Sequence, residues 1–180
     1  MTGPLYAPLA DGDLRLEPIA ERHREGLRAA TAADSEIWAI YPTDWAGEAF
    51  DASFANLLAA GPQRRGYAVF AGERLAGMTA WIERGDPAWG IEIGNSYIAP
   101  DLRGTGFNGR LKRLMIAHAF ACGLRRVEFR VDERNLRSQA AVLKLGAQKE
   151  GALRSERQTW TGHVRDTAVF SILADEWVSR

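Results

Sequence analysis

The hydrophobic period of this sequence changes repeatedly in its second half, and that change constrains the fold more than any other feature. Residues 90–99 read as a strand, and apolar residues then recur every three or four positions over 111–122, before Gly123, as in a helix with a C-terminal glycine. Residues 127–131 alternate apolar and charged side chains like a strand, and a second helix is predicted over 135–145. Strand and helix therefore follow each other closely, as in α/β domains.

The segments on either side complete the predicted order of elements. They are a strand at Asp13–Glu17, two or three helices over 20–58, an antiparallel hairpin formed by 66–71 and 75–83, and two strands at 148–157 and 165–173. This order predicts an α/β fold with a mixed sheet. With 180 residues, 46% of them apolar, the chain is predicted to form a single domain spanning residues 1–180.

Charge and cysteine content exclude several classes of protein. The 23 Lys and Arg residues balance the 23 Asp and Glu residues, so the net charge favours neither a nucleic acid nor a membrane as partner. A single cysteine, Cys122, cannot form an intrachain disulfide and fits a reducing compartment. The sequence shows no signal peptide and no apolar run of about 18 residues, so we expect a cytoplasmic protein.

The segment 101–109 lies between a predicted strand and a predicted helix. Its glycines at 104, 106 and 109 allow the backbone to approach an anion closely, and the N–H groups of a helix N-terminus bind phosphate. Nearby positive charges come from Arg103, Arg110, Lys112 and Arg113. The alternative is an ordinary glycine-rich turn followed by a solvated basic helix face.

Two nucleotide-binding motifs do not fit this segment. A Walker A loop would end in Gly-Lys-Ser or Gly-Lys-Thr, which is absent. A dinucleotide fingerprint requires an early βαβ unit, whereas antiparallel strands are predicted before this loop.

The residues Arg103-Gly-Thr-Gly106-Phe-Asn108 resemble the pyrophosphate loop of the GNAT acetyltransferases, which reads Arg/Gln-x-x-Gly-x-Gly/Ala. Asn108 departs from that pattern and is similar to the RimJ/RimL-like branch, which modifies protein N-termini among other amines. Further matches are Glu92-Ile-Gly-Asn, His118-Ala-Phe, Arg126-Val-Glu-Phe, Asn135-Leu-Arg-Ser138, Leu145-Gly-Ala147 and the strand 165–173. The resemblance covers residues 14–177 and implies a GNAT-like mixed, mostly antiparallel central sheet flanked by helices.

The resemblance also implies acetyl-CoA as a co-substrate and assigns residues to it. The pyrophosphate would bind the backbone of Arg103, Gly104, Thr105, Gly106, Phe107, Asn108 and Gly109. The pantetheine arm would add to the edge of the strand 91–99, including Ile98, like an extra β-strand. Asn135 could bond the pantetheine amides, cap the following helix, or do both.

Transfer to an amine requires a proton acceptor for the ammonium and a proton donor for the leaving thiolate. Many GNAT enzymes use a tyrosine as the donor, but the helix 135–145 contains none, and the resemblance to RimL-like enzymes implies Ser138 instead. We expect Glu92 to be the base, directly or through water, because strand alternation sets its carboxylate opposite Ile91 and Ile93. A structural ion pair is its alternative role. Weaker candidates for the base are Glu150, Glu156 and Asp132.

Histidine and cysteine give no further site. His118 is predicted to be structural, Cys122 to pack in the core, and His23 and His163 to be isolated, so no metal is expected.

The segment 34–62 is interpreted as a lid over the acceptor site. Trp38, Tyr41 and Trp45 could wall an acceptor pocket. The acidic residues between Asp34 and Asp51 favour either a cationic acceptor or a solvated surface. A peptide N-terminus, an aminoglycoside-like drug and a polyamine all remain open as the amine-bearing acceptor.

Assembly and activity are less constrained. Family resemblance and apolar residues on both faces of 169–173 predict a homodimer. A GNAT-fold module that binds acetyl-CoA without turnover remains an alternative to an active enzyme.

Overall fold

The computed structural model describes residues 4–85 and 88–177, and its centre is a sheet in the order β1-β2-β3-β4-β5-β6-β8-β7. The strands are β1 Leu9–Asp11, β2 Leu14–Pro18, β3 Arg64–Ala71, β4 Arg74–Ile82, β5 Gly90–Ile98, β6 Arg126–Asp132, β7 Gln148–Gln158 and β8 Val164–Leu173. The α-helices are α1 Arg24–Ala32, α2 Ala49–Ala59, α3 Phe107–Ala121, α4 Leu136–Lys144 and α5 Ala174–Trp177. Short 3₁₀ turns cover Glu21–His23, Glu36–Ile40, Gly61–Gln63 and Pro100–Leu102.

The predicted mixed, mostly antiparallel sheet flanked by helices is confirmed. In the described part of the chain β5 and β6 pair in parallel, connected by α3, and the other paired strands are antiparallel. Two details differ from the sequence-based prediction. The short strand β1 was missed, and α3 begins at Phe107, so the last residues of the glycine-rich segment form its first turn.

The parallel pair β5–β6 is short. Its register joins Gly90–Glu92 to Arg126–Glu128 and goes no further, so the two strands diverge beyond Glu92. The edge of β5 from Ile93 onward therefore faces β6 across a gap, with backbone groups that no neighbouring strand pairs with on that side.

A bulge between β4 and β5 increases this divergence. Ala80 pairs with Gly94 and Met78 with Tyr97, so Thr79 stands opposite two residues, Asn95 and Ser96. Asn95 has a φ of 50°, and a bulge of this kind bends its strand and increases its twist.

Apolar clusters cover both faces of the sheet and fix the flanking helices. Leu111, Met115 and Ile116 of α3 pack on one face with residues such as Trp81 and Ile93. Met78 and Tyr97 point to the opposite face, where α1, α2 and the turn at 36–40 contribute Leu27, Trp38, Phe50 and Phe54. Because the second cluster draws on the segment 34–62, this segment is part of the hydrophobic core. None of the described helices is long and apolar enough to cross a membrane.

Candidate active site

The gap between β5 and β6 opens into a cavity of about 540 Å³. Residues of α3, α4, the turn at 37–45 and the strands β3 to β8 line it. The predicted site residues among the lining are Glu92, Ile98, Arg103, Gly104, Gly106, Asn108, Gly109, Asn135 and Ser138. The structure thus brings predicted site residues from three separate sequence segments, 92–98, 103–109 and 135–138, to one cavity.

The glycine-rich segment reaches one end of this cavity. Gly104 and Gly106 have φ values of 79° and 90°, in the left-handed region that favours glycine, and α3 begins directly afterwards. The first N–H groups of a helix have no intrahelical partner, so they are available to an anion at this end. Thr105 and Phe107 do not line the cavity. The Thr105 hydroxyl donates to the Leu102 carbonyl, and Phe107 is buried in the core.

Two buried polar atoms near the loop have no hydrogen-bond partner among the described residues. They are Asn108 Oδ1 and Arg103 Nη2, and both residues line the cavity. Arg103 also donates through Nε to the Ile98 carbonyl at 2.9 Å and through Nη1 to Asp34. A buried polar atom without a partner is costly, so an acceptor and a donor supplied by a ligand would fit this end of the cavity.

Two of the four basic residues expected at the loop lie elsewhere. Arg110 turns outward to form ion pairs with Asp11 and Asp13. Lys112 is buried, and its ammonium nitrogen Nζ donates to the hydroxyls of Thr79, at 3.3 Å, and Ser96. Because Arg103 is paired with Asp34, the positive charge beside the loop that no described carboxylate pairs with comes from Arg113.

Glu92 lies at the point where β5 and β6 separate and is only 3% exposed. Arg84 forms an ion pair with its carboxylate, and Arg130 Nε is 4.0 Å away. Burial raises the pKa of Glu92, and the neighbouring guanidinium of Arg84 opposes that rise without cancelling it. The structural ion pair considered from the sequence is therefore present, and the carboxylate nevertheless faces the cavity.

The weaker candidates for the base differ from Glu92 in their pKa. Arg157 lowers the pKa of Glu156 to about 2, and Arg126 lowers that of Glu150. Burial alone would raise the pKa of Asp132, but hydrogen bonds from Arg134 bring it below its ordinary value. Because their pKa values are lowered whereas that of Glu92 is raised, these three carboxylates are poorer proton acceptors than Glu92.

Asn135 and Ser138 lie together at the start of α4. Asn135 Oδ1 accepts a hydrogen bond of 3.0 Å from the Ser138 backbone N–H, which is the capping arrangement expected of an amide at this position. The Ser138 side chain is half-buried and lines the cavity. Capping thus occupies the Asn135 oxygen and leaves its amide nitrogen for another partner.

The acidic residues of the segment 34–62 do not face the cavity. Asp34 pairs with Arg103, and Asp51 pairs with Arg24 and Arg28. The segment lines the cavity instead with Ile37, Ile40, Tyr41, Pro42, Thr43 and Trp45. Of the two alternatives left open for these acidic residues, an acidic lining that would favour a cationic acceptor is not formed, whereas the aromatic wall is present, with Trp38 buried behind it.

Histidine and cysteine stay outside the cavity. His118 Nε2 lies 3.0 Å from the Leu5 carbonyl, consistent with a structural role, and Cys122 Sγ is 3.6 Å from the same ring. His23 is not isolated, since it contacts Glu17 at 3.2 Å. Across residues 4–85 and 88–177, no group of three or more His, Cys, Asp or Glu side chains is placed to hold a metal ion.

The glycine-rich helix N-terminus and the diverging strands β5 and β6 lie within a segment that matches a known protein family. Residues 13–148 match the family model for the acetyltransferase (GNAT) domain. The chain belongs to the GNAT acetyltransferase family. None of the curated protein sequences matches this GNAT domain.

Solved structures agree with the family assignment. A GNAT-family protein from Chromobacterium violaceum is 31% identical, with a TM-score of 0.87 and coverage of 99% of this chain and 91% of its own. A GCN5-related N-acetyltransferase from Brucella melitensis is 28% identical, with a TM-score of 0.87 and coverage of 97% and 82%. Mycobacterium smegmatis RimJ, solved in complex with CoA-disulfide, is similar in fold, with 22% identity, a TM-score of 0.77 and coverage of 94% and 87%.

Several residues that line the cavity of this GNAT domain have a position there that differs from the one predicted or was not predicted at all. Lys112 was assigned to the loop, although its place on the same helix face as Met115 and Ala119 was a signal for burial. Five arginines around Glu92 also went unnoticed: Arg64, Arg84, Arg130, Arg157 and Arg165. They come from β3, β6, β7, β8 and the β4–β5 connection, so no local pattern joins them.

Proposed function

We propose that this GNAT domain is an acetyl-CoA-dependent N-acetyltransferase of the RimJ/RimL-like branch that acts on a primary amine. The observation that carries the proposal is one continuous cavity, which connects the glycine-rich loop to Glu92 along the open edge of β5. The family supplies the class of reaction, and this geometry supplies a place for each part of it.

The chemical groups of acetyl-CoA match the groups that the cavity offers. The pyrophosphate would bind the N–H groups of the segment 104–109 at the start of α3. The pantetheine amides would pair with the backbone of β5 from Ile93 to Ile98, where β6 leaves the edge open. The unpartnered Asn108 oxygen and the free amide nitrogen of Asn135 would then find donors and acceptors on the bound arm.

In the proposed reaction the nitrogen of the acceptor amine attacks the thioester carbonyl carbon of acetyl-CoA. The neutral amine forms the new N–C bond, the C–S bond breaks, and the sulfur leaves as a thiolate. Glu92 would accept the amine's proton, directly or through water, and its raised pKa suits that task. Ser138, one turn after Asn135, would donate a proton to the thiolate.

The setting of the reaction follows from the same observations and from the sequence. The acceptor would be an amine-bearing peptide N-terminus or small molecule that enters past the aromatic wall of Tyr41 and Trp45. We further propose that the enzyme is cytoplasmic and forms a homodimer.

Acetyl-CoA binding tests the proposal at the loop. Gly106→Val should abolish binding in calorimetry, because a β-branched residue cannot hold a φ of 90° without strain and would displace the loop. Gly123→Val is the matched control, since Gly123 has a φ of 91°, equally open surroundings and a position outside the cavity. Unchanged affinity in a folded Gly106→Val protein would place the acetyl-CoA site elsewhere.

Turnover separates an enzyme from a module that only binds. Release of free CoA thiol is measured with acetyl-CoA and a panel of amines, amino acids and N-terminal peptides. We expect release that depends on the acceptor. Tight acetyl-CoA binding with no release across the panel would favour the non-catalytic alternative.

A further inference from the structure

A second cluster of positive charge surrounds Glu92, at the end of the cavity away from the glycine-rich loop. It consists of Arg64, Arg84, Arg130, Arg157 and Arg165. The cluster and the loop are separated by the length of β5 from Glu92 to Ile98, about 20 Å at ~3.3 Å per residue. The phosphates that bind at the loop therefore do not reach these arginines, and their charge needs another explanation.

Three of the five arginines are neutralised within the protein. Arg84 pairs with Glu92, Arg157 pairs with Glu156 at 2.6 Å, and Arg130 Nε lies 2.6 Å from Glu128. Asp132, which also lines the cavity, pairs with Arg134 at 2.8 Å, so each carboxylate beside the cluster in the described part of the chain is paired with an arginine. Such pairs are structural and need no ligand.

Arg64 and Arg165 have no carboxylate within 4.0 Å among the described residues. Arg165 is only 4% exposed, and its hydrogen bond is from Nε to the Thr167 hydroxyl at 2.8 Å. Both side chains line the cavity, so the nitrogens left without a partner can reach its interior. A buried guanidinium without a counter-ion is unfavourable, and a bound anion would remove that cost.

The electrostatic surroundings agree with an unfilled anion site. Burial lowers the pKa of Arg64 and of Arg165, and repulsion from the guanidinium of Arg157 lowers both further. The carboxylate of Glu92 opposes this fall at both residues, and Asp132 and Glu156 oppose it at Arg165, without cancelling it. Each of these two cations is therefore held in a position that disfavours its own charge.

We propose that the acceptor is an amine that also carries a carboxylate, and that Arg64 and Arg165 bind this carboxylate beside Glu92. The inference rests on the proposed function and assigns its substrate class. A guanidinium matches a carboxylate with two parallel hydrogen bonds, so an arginine that has no carboxylate partner in the described residues can fix both the position and the orientation of that group. Glu92 then lies next to the acceptor, where it can take the proton from the amine.

The same charges oppose a polycationic acceptor. A polyamine has no anionic group for Arg64 or Arg165, and its additional ammonium groups would lie beside them at the same end of the cavity. The cationic acceptor suggested by the acidic residues of the 34–51 segment also loses its basis, because those residues do not line the cavity.

Matched acceptors test the proposal on the unmodified protein. Thiol release with acetyl-CoA is compared between amino acids or short peptides and the same molecules lacking the carboxylate, such as phenylalanine against phenethylamine, with spermidine as the polycation. We expect kcat/KM to be at least about 10-fold higher for the members that keep the carboxylate. Equal turnover of amines without a carboxylate, or preference for spermidine, would overturn the inference.

Variants assign the effect to the two arginines. Arg64→Gln and Arg165→Gln should each lower the preference for the carboxylate-bearing acceptor, measured as the ratio of its kcat/KM to that of its carboxylate-free partner, by about 10-fold. Arg154→Gln, on the exposed part of β7, is the matched control with no expected effect. Arg64 is half-buried and stands at the first position of β3, whereas Arg165 is buried, so the Arg64 variant remains informative even if Arg165→Gln does not fold.

Acetyl-CoA affinity separates this inference from the proposed function. Both variants should bind acetyl-CoA as tightly as the unmodified protein, since the loop is at the other end of β5. A loss of acetyl-CoA affinity in both would show that the cluster binds the co-substrate and would overturn the inference. Failure of the unmodified protein to bind acetyl-CoA would contradict the proposed function itself.

Discussion

Glu92 and Ser138 have separate tasks in the proposed reaction, and their variants should therefore differ. Ser138→Ala removes a hydroxyl without adding bulk, so acetyl-CoA affinity should persist while kcat falls by about 10²-fold, the low end for general acid catalysis. Glu92→Gln should lose rate near neutral pH and regain part of it at high pH, where more of the acceptor amine is already neutral. The pH–rate profiles of both variants test this division.

The ion pair of Glu92 with Arg84 requires a control for that experiment. Arg84→Gln breaks the same ion pair but keeps the carboxylate, so any loss common to Arg84→Gln and Glu92→Gln is structural. Recovery of rate at high pH should appear in Glu92→Gln alone. A near-normal kcat of Glu92→Gln at pH 7 would return Glu92 to a structural role.

Three elements meet at Lys112, which ties α3 to the bulge between β4 and β5. From α3 its ammonium group reaches Thr79 on β4 and Ser96 on β5. Burial lowers the pKa of Lys112 to about 7, with Glu92 as a weak opposing influence. The contact therefore joins helix and sheet through a group that is easily deprotonated.

The pH dependence of folding tests this junction. In the unfolded chain Lys112 keeps its ordinary pKa near 10.5, so between about pH 7 and 10 the unfolded state binds a proton that the folded state does not. The free energy of unfolding should consequently rise with pH over that window, and Lys112→Met should remove this part of the rise. Urea denaturation at pH 7 and pH 9 measures both. Parallel pH profiles for the two proteins would show that Lys112 stays protonated in the fold.

On the scale of the whole molecule, β7 forms one edge of the sheet. The homodimer was predicted from apolar residues on both faces of 169–173, but β8 lies between β6 and β7, and Phe170 and Ile172 are buried. Leu153 on β7 and Val164 at the start of β8 are exposed apolar residues of this end of the sheet. Any dimer contact on this side of the molecule therefore involves the edge strand β7 rather than the face of β8.

Light scattering tests the proposed dimer. We expect twice the chain mass at micromolar concentration, reduced by Leu153→Lys, which places a charge on the exposed edge strand. Trp89→Lys changes an even more exposed apolar residue outside this edge and should leave the mass unchanged. A monomeric mass for the unmodified protein would contradict the dimer.

Local patterns in the sequence were sufficient for most elements and for one end of the site. Hydrophobic period depends on neighbours a few positions apart, so the strand 90–99 and the helix 135–145 could be predicted within a few residues. Glycine is favoured where the backbone has a positive φ, as Gly104 and Gly106 do. These two glycines in the sequence therefore indicated the loop that precedes α3.

Tertiary structure alone decided which charges share the cavity. Arg64 and Arg165 are 101 positions apart and line one cavity only because β3 and β8 belong to one sheet. The sequence shows no basic residue among the acidic residues of 34–51. In the fold, however, Asp51 pairs with Arg24 of α1, and Asp34 pairs with Arg103 of the loop. Coulomb interactions depend on distance in space and on burial, so the charge of the site follows from strand order and helix packing rather than from spacing along the chain.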